Sequence, residues 1–377
     1  MERCMRADVV IIGGGIIGLA CAYELVRRDV DVIVAERNAR VGREASWASL
    51  GLLRQRVTSD DAYGRIAQYS ADAYPDLAAS VHEDSGIDPE YRRRGGLEVA
   101  VTDEKLASLG RFATFHGSRG LAVEWLEPRD IRACEPALSE ACLGAILYAD
   151  DAYVRPPRML RALEAAIVAR GGRVVKGFAA SRIVRGRGVA VESEGDTLYA
   201  RAVVIAAGAW SELLGRGSGL FLPVRPVRGQ ALMYDAPAEM LRRACGVEKT
   251  YVAQRDDGVL LVGSTREDVG FDSGTSAEGI ADLKRRAAIA CPALGEMAPA
   301  RAWAGLRPAP ARRFPYIGEV ESNVWVATGH HRYGYMLAPG TARVVADGIT
   351  ADETPIPLDD FHPERDRARV EGDQSGS

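Results

Sequence analysis

The sequence predicts an α/β protein in which a Rossmann-type domain is interleaved with a smaller α+β domain built on an antiparallel sheet. Three observations carry that prediction. A β-branched run, three glycines and a helical stretch follow one another at the start of the chain; a parallel-type strand returns near residue 200; and later segments show the alternating, turn-punctuated texture of antiparallel strands.

Residues 7–12 read ADVVII, too short and too β-branched for a helix, and end in glycines, while 16–28 carry apolar residues at helical spacing. Residues 31–36, DVIVAE, form a second buried-type strand, which completes a βαβ unit with a right-handed crossover. A helix opened by proline is expected over 156–170, followed by a buried strand at 201–207, RAVVIAA, closed by Gly208. The runs 224–234 and 251–264, the latter turning at Asp257-Gly258, read as antiparallel strands. A helix is expected over 338–349, and a loose polar tail over 364–377.

At roughly 150 residues per domain, 377 residues give two domains. Hydrophobic residues at 47% and charged residues at 27% exclude disordered, collagenous and coiled-coil classes. A net charge of -4 argues against nucleic acid as a partner. The six cysteines, at 4, 21, 134, 142, 245 and 291, form no CxxC pair and have no zinc-like spacing to histidines, which points to a reduced, cytoplasmic setting without a metal. The most apolar stretch, 9–23, is interrupted by four glycines and too short to span a bilayer, and no signal peptide is read. His82 and His116 fall in polar helical segments and His362 in the tail, so all three are expected at the surface.

The run Gly13-Gly14-Gly15-Ile16-Ile17-Gly18 fits GxGxxG with a strand before it and a helix after it. Gly13 permits the sharp turn, Gly15 lets backbone approach a pyrophosphate, and Gly18 lets helix and strand pack closely. The phosphates would face the N–H groups of Ile16 and Ile17 at the helix N-terminus. Glu36, at the end of the second strand, can accept hydrogen bonds from both hydroxyls of an adenosine ribose, which disfavours a 2′-phosphate and leaves NAD or FAD open.

Five motifs narrow this choice: VVIIGGGIIGLACAYEL at 9–25, GREASWA at 42–48, VVIAAGAWS at 203–211, WAGLRP at 303–308 and GHHRYGYMLAP at 329–339. In this order, over about 7–350, the chain resembles the FAD-dependent amino acid oxidase family, nearest its glycine-oxidising branch linked to thiamine (thiazole) biosynthesis. The resemblance implies an FAD-binding domain from 1–80, 150–215 and 304–360, a substrate domain from 81–149 and 216–303, and a flexible tail at 361–377. It places Glu36 and Arg37 at the adenosine, Ala180 near the adenine, and Ala45, Ser46, Leu50, Gly51 and Leu52 along the flavin. Backbone from His330, His331, Arg332, Tyr333, Gly334, Tyr335 and Met336 would wrap the flavin ring, with the following helix turning its positive end toward it.

By the same resemblance Arg307 clamps the substrate carboxylate with the two-pronged fork that arginine offers, Tyr251 assists through its hydroxyl, and Arg332 lies beside the substrate. On pattern alone, such arginines are as readily surface pairs and such a tyrosine half-buried core. The implied reaction is oxidative deamination of glycine, sarcosine or a small D-amino acid. Hydride passes from Cα to flavin N5, the imine yields oxoacid and ammonia or feeds thiazole synthesis, and O2 becomes hydrogen peroxide. No cysteine follows Cys291, where the sarcosine oxidase relatives attach flavin, so noncovalent FAD is expected. Lys249 stands where the family has histidine, and Tyr333 and Tyr335 replace smaller residues, which would narrow the pocket. A homo-oligomer is compatible with this reading. The alternatives are a quinone-linked D-amino acid dehydrogenase of the same fold, a non-catalytic flavin-binding subunit, and an oxidase of 2-hydroxy acids.

Overall fold

The strand Val9–Ile12 is buried along its whole length, as a central parallel strand covered on both faces must be. In the computed structural model, which describes residues 4–56 and 59–370, it pairs in parallel with Val32–Glu36 on one side and Ala202–Ile205 on the other. Arg173–Lys176 extends the sheet beyond the first and Val324–Thr328 beyond the second, both parallel, and antiparallel Tyr316–Glu321 closes it. The helix Ile16–Val26 returns the chain between the first two strands. Ile12, Glu36, Ile205 and Thr328 therefore end at one edge, where open α/β sheets bind their ligands.

The second large sheet has eight strands, in the order Arg301–Pro310, Val224–Asp235, Val259–Gly263, Thr250–Gln254, Ala244–Val247, Gly96–Ala100, Gly144–Tyr148, Val123–Leu126. Only the contact of Ala244–Val247 with Gly96–Ala100 is parallel. One face of Val224–Asp235 is apolar: Leu232 and Tyr234 join Leu283 and Ala287 of the helix Ala277–Ala290 in a buried cluster. The other face is left for the cavity described below. The α/β class, with a Rossmann-type sheet interleaved with an antiparallel one, is borne out.

Several boundaries differ from expectation. The division at 303/304 falls inside the strand Arg301–Pro310, whose ladder with Val224–Asp235 runs unbroken through it. The division at 80/81 falls inside the helix Ala62–Ser85. The last long helix runs Gly334–Thr350 and starts ahead of the expected 338. Its internal Pro339 is accommodated by Ser70, whose hydroxyl donates to the Met336 carbonyl (2.7 Å) and accepts from the Gly340 N–H (3.0 Å). Nor is the segment from 361 a loose tail as far as the structure describes it. Phe361 is fully buried against Phe314, and the buried Asp366 accepts from the Tyr316 hydroxyl (2.5 Å) and pairs with Arg312. The rest of that expected tail, 371–377, lies outside the described residues, as do 1–3 and 57–58 of the first expected segment. No helix among the described residues is long and apolar enough to cross a membrane.

Candidate active site

The glycines of the first turn each answer a different steric demand. Gly13 has φ +114°, and a Cβ there would lie 2.4 Å from the Ala206 carbonyl oxygen on the neighbouring strand. At Gly18 a Cβ would lie 2.0 Å from the Gly13 oxygen, so the helix can seat on the turn only without a side chain. A Cβ on Gly15 would meet only the Ser46 hydroxyl, at 3.1 Å, with open cavity otherwise. The Ile16 N–H donates to that hydroxyl (2.9 Å). The Gly14 N–H donates to Glu36 Oε2 (2.9 Å), and Asn38 holds Glu36 Oε1 through its N–H (2.7 Å) and its amide (2.9 Å). Three bonds leave acceptor capacity on a carboxylate that lines the cavity.

That cavity measures about 2070 Å³, beyond the ~300–1,000 Å³ of an ordinary small-ligand pocket. It runs from Glu36, Ala180 and Trp210 past the glycine turn to Arg307 and Arg332. At its nucleotide end Arg37 stacks on Trp210, 3.4 Å from the ring centroid, and pairs with Glu44. Its size and its cradle, which a Cβ at Gly15 would invade, fit an extended dinucleotide with a small substrate beside it.

All but three of the residues expected in the site line this cavity. Gly18 works from behind, under the turn. Gly51, at φ +69°, lies against the Val154 carbonyl, where a Cβ would come within 2.2 Å, and so lets Leu50 and Leu52 face the cavity without facing it itself. Met336 is in the second position after Gly334 in the helix, and its side chain is buried in the core. Tyr335 is tied down by its hydroxyl, which donates to the Ser46 carbonyl (3.0 Å), so it braces the Ala45–Ala48 segment. Tyr333 stacks edge-on against Tyr63 and carries the Arg332 guanidinium over its ring.

Arg307 reaches the cavity because of the period-2 geometry of its strand. It lies opposite Val227, and two residues along on the same face are Gly229 and Gly305, paired with each other. A Cβ on Gly229 would fall 2.0 Å from the Arg307 guanidinium; a Cβ on Gly305 would fall 2.5 Å from that of Ala48. The empty positions let the guanidinium lie down on the sheet and let the Ala45–Ala48 segment dock. Trp303, next on this face, donates its indole N–H to the Ala48 carbonyl (3.0 Å). Arg307 donates to Ser264 Oγ (2.6 Å) and the Thr265 carbonyl (3.1 Å). Among the described residues it has no carboxylate partner. Burial lowers its affinity for protons to a pKa of about 10, with Arg332 and Arg266 pushing the same way, so it stays charged at neutral pH.

Tyr251 faces the same side, opposite Gly246 on one neighbouring strand and Gly263 on the other. Its hydroxyl donates to Glu98 Oε1 (2.9 Å) and accepts from Arg54, whose guanidinium lies 4.3 Å from the tyrosine ring. Burial and Glu98 both push the phenol's pKa up, so it remains protonated. Arg54, Arg56, Glu98 and Asp151 were not foreseen. Arg56 donates to Glu98 (2.6 Å) and, through Nε, to Asp151 (3.0 Å). Burial alone would raise the Glu98 pKa, but Arg56 and Arg54 outweigh it and hold the carboxyl below its usual range. Lys249 lines the cavity and is exposed. His116 is not free at the surface as expected: its Nδ1 is 2.9 Å from the Tyr148 hydroxyl.

The adjacent histidines diverge. His330 is buried, with Nε2 3.1 Å from the Thr341 hydroxyl, and burial lowers its pKa to about 3. His331 faces the cations, and burial followed by Arg307, Arg332 and Arg266 lowers its pKa to about 4. Both are neutral in the fold yet titrate near 6.5 when unfolded. Below pH 6.5 the unfolded chain therefore binds more protons, and stability falls as pH drops toward 4. Thermal unfolding from pH 8 to 4 should show a midpoint falling below pH 6.5, with a shallower fall in His331→Gln.

A parallel sheet with a dinucleotide cradle at its carboxyl edge, opening on a cationic wall from a second sheet, defines an oxidoreductase. Residues 8–348 match the model of the FAD dependent oxidoreductase family, and the chain belongs to that family. It is 33% identical to the glycine oxidase of Pseudomonas putida, over 96% of this chain and 99% of that one. The glycine oxidase of Pseudomonas aeruginosa is 35% identical, over 93% and 96%. The crystal structure of glycine oxidase from Geobacillus kaustophilus superposes with a TM-score of 0.91 at 33% identity, covering 95% of this chain and 98% of that one. The resemblance to FAD-dependent amino acid oxidases is borne out.

Proposed function

We propose that the protein catalyses FAD-dependent oxidative deamination of a small amino acid, giving an imine that yields oxoacid and ammonia, with O2 reduced to hydrogen peroxide. The observation that carries this reading is Arg307, a part-buried cation on the cavity wall with no carboxylate partner among the described residues. A substrate carboxylate supplies the missing charge, with two parallel N–H···O bonds fixing its plane.

FAD, when bound, supplies a two-electron acceptor for the C–H bond that breaks. The cradle residues would be Gly13, Gly15, Ile16 and Ile17 for the pyrophosphate, Glu36, Arg37 and Ala180 for the adenosine, and Ala45, Ser46, Leu50, Leu52 and 330–335 for the ring end. Cys291, the last cysteine, is buried in the other core beside Leu283 and Leu294, which supports noncovalent attachment. Acid-precipitated protein should leave its yellow colour in the supernatant.

The chain's own contribution is position. Arg307 holds the carboxylate, Ser264 and Thr265 hold Arg307, and Tyr251 with Arg332 bounds the space on either side. Tyr251 donates its hydroxyl hydrogen bond to Glu98, so it acts on the substrate as a wall and an acceptor, and the N–H donors beside it are those of Arg54. The test is anaerobic mixing with glycine, sarcosine and small D-amino acids. At least one should bleach the flavin, and air should then return one peroxide per substrate, together with one ammonia from a primary amino acid or one methylamine from sarcosine. Bleaching without peroxide would point to a carrier-linked dehydrogenase, and bleaching by glycolate or lactate but by none of the amino acids to a 2-hydroxy acid oxidase; no bleaching by any amino acid would remove the reading.

A further inference from the structure

Building on the oxidase reading, we infer that the substrate carries a second acidic group, an amino dicarboxylate, whose far carboxylate is taken by Arg54 with Arg332. The starting observation is a surplus of positive charge that one carboxylate cannot satisfy. Cations outnumber carboxylates in the cavity wall by more than two to one. Most at the nucleotide end and rim are paired, as Arg37 is with Glu44 and Arg313 with Asp61. Around the substrate space, Arg307 and Arg332 have no carboxylate partner among the described residues, and Arg54 has only a share of one.

Arg332 has no carboxylate partner among the described residues; its Nη2 donates to the Tyr333 hydroxyl (2.6 Å). Among the described residues the carboxylate that pairs with Arg54 is Glu98, at 3.5 Å, and that group already holds Arg56 at 2.6 Å and has Lys105 at 3.9 Å. Asp151, the remaining acid of the cluster, is committed to Arg56. Three cations thus share two carboxylates, and of the two arginines Arg54 is held on the weaker terms. It also lines the cavity, in contact with the Tyr251 hydroxyl. Arg54 and Arg332 line one cavity with Tyr251 and Tyr63, and Tyr63 packs edge-on against Tyr333, the ring that carries the Arg332 guanidinium. An anion of the dinucleotide does not serve here, because the phosphates belong to the backbone amides of the glycine turn.

Once Arg307 has taken the α-carboxylate, a neutral side chain would leave Arg332 facing an occupied, desolvated pocket without a counter-charge and Arg54 with only its share of Glu98, which is costly. A second carboxylate would remove that cost and meet a planar fork that matches it. Glu98 then acts as a limiter: by drawing off part of the field of Arg54 it keeps the apo cavity tolerable while leaving the cation available.

The experiment uses the purified holoenzyme. Steady-state kcat/KM is measured for D-aspartate, D-glutamate and iminodiacetate against D-alanine and sarcosine, and in parallel malonate and acetate are titrated anaerobically by perturbation of the flavin absorbance. At least one dicarboxylate should exceed the neutral compounds by on the order of 10-fold or more, and malonate should bind at least about 10-fold more tightly than acetate. Arg54→Gln should collapse both ratios, and Arg54→Lys should restore part of them. If neutral amino acids are oxidised as well as or better than every dicarboxylate, the inference fails and the oxidase reading stands. If nothing is oxidised, the oxidase reading fails and the titration still decides: malonate and acetate binding alike, or a preference unchanged in Arg54→Gln, overturns the second anion site.

Discussion

Arg307→Ala should lower kcat/KM for the amino acid by on the order of 10²-fold or more, almost all of it in KM, while the purified protein keeps its full complement of FAD. The expectation follows from what holds the guanidinium. Its protein partners are a hydroxyl and a carbonyl, neither charged, so removing it strands no buried carboxylate and costs the fold little. A charge-assisted, bidentate contact to the substrate is lost instead, worth roughly 2–5 kcal/mol in such settings. Arg307→Lys should recover only a minor part, because an ammonium cannot reproduce the fork and would have to reach across the space left by Gly229. An unchanged KM in Arg307→Ala would place the substrate carboxylate elsewhere, and loss of flavin would mean that the arginine supports the cofactor instead.

The geometry behind this expectation was only partly visible in the residues. WAGLRP marks Arg307 through its family resemblance, and strand periodicity puts Trp303, Gly305 and Arg307 on one face. The reason the guanidinium can lie flat is Gly229, on a strand far back in sequence and paired through a ladder whose register no local pattern specifies. The Rossmann half was legible for the opposite reason: strand, glycine turn, helix and acidic terminus are contiguous, so local sterics determine them.

What stayed hidden was the cluster around Arg54. The fragment LLRQR offers two arginines at i and i+2 after a short strand, a pattern that usually means a solvated edge. Their carboxylates lie tens of residues further on, Glu98 within the strand Gly96–Ala100 and Asp151 just ahead of Ala152–Tyr153. A buried charge pair is invisible until both partners are placed. The tail misled in the same way: the polar residues after 360 read as solvated, but Asp366 finds Tyr316 and Arg312 at the end of the parallel sheet.

The second large effect is expected at the glycine turn, where two neighbouring substitutions should fail by different routes. Gly18→Ala places a Cβ 2.0 Å from the Gly13 carbonyl oxygen, a backbone atom that cannot swing aside, so helix Ile16–Val26 must lift from the strand. Overpacking of this kind costs ~1–3 kcal/mol. The displaced turn also carries the Gly14 N–H away from Glu36 and the Ile16 N–H away from Ser46, which dismantles the nucleotide cradle. The variant should be purified colourless and should melt several degrees lower even when compared with FAD-stripped wild type. Gly15→Ala adds a methyl that meets nothing closer than the Ser46 hydroxyl, in backbone that alanine adopts freely (φ -79°, ψ 178°). Its FAD-free form should therefore melt within about 1 °C of the FAD-free wild type, while the dissociation constant for FAD rises ~10-fold or more, because the methyl occupies the approach of the pyrophosphate. Flavin fluorescence titration of the two stripped variants, alongside calorimetry, separates these routes. Equal loss of stability in both would show that Gly15 is a packing glycine like Gly18, and retention of FAD by Gly15→Ala at wild-type affinity would move the phosphates off this turn.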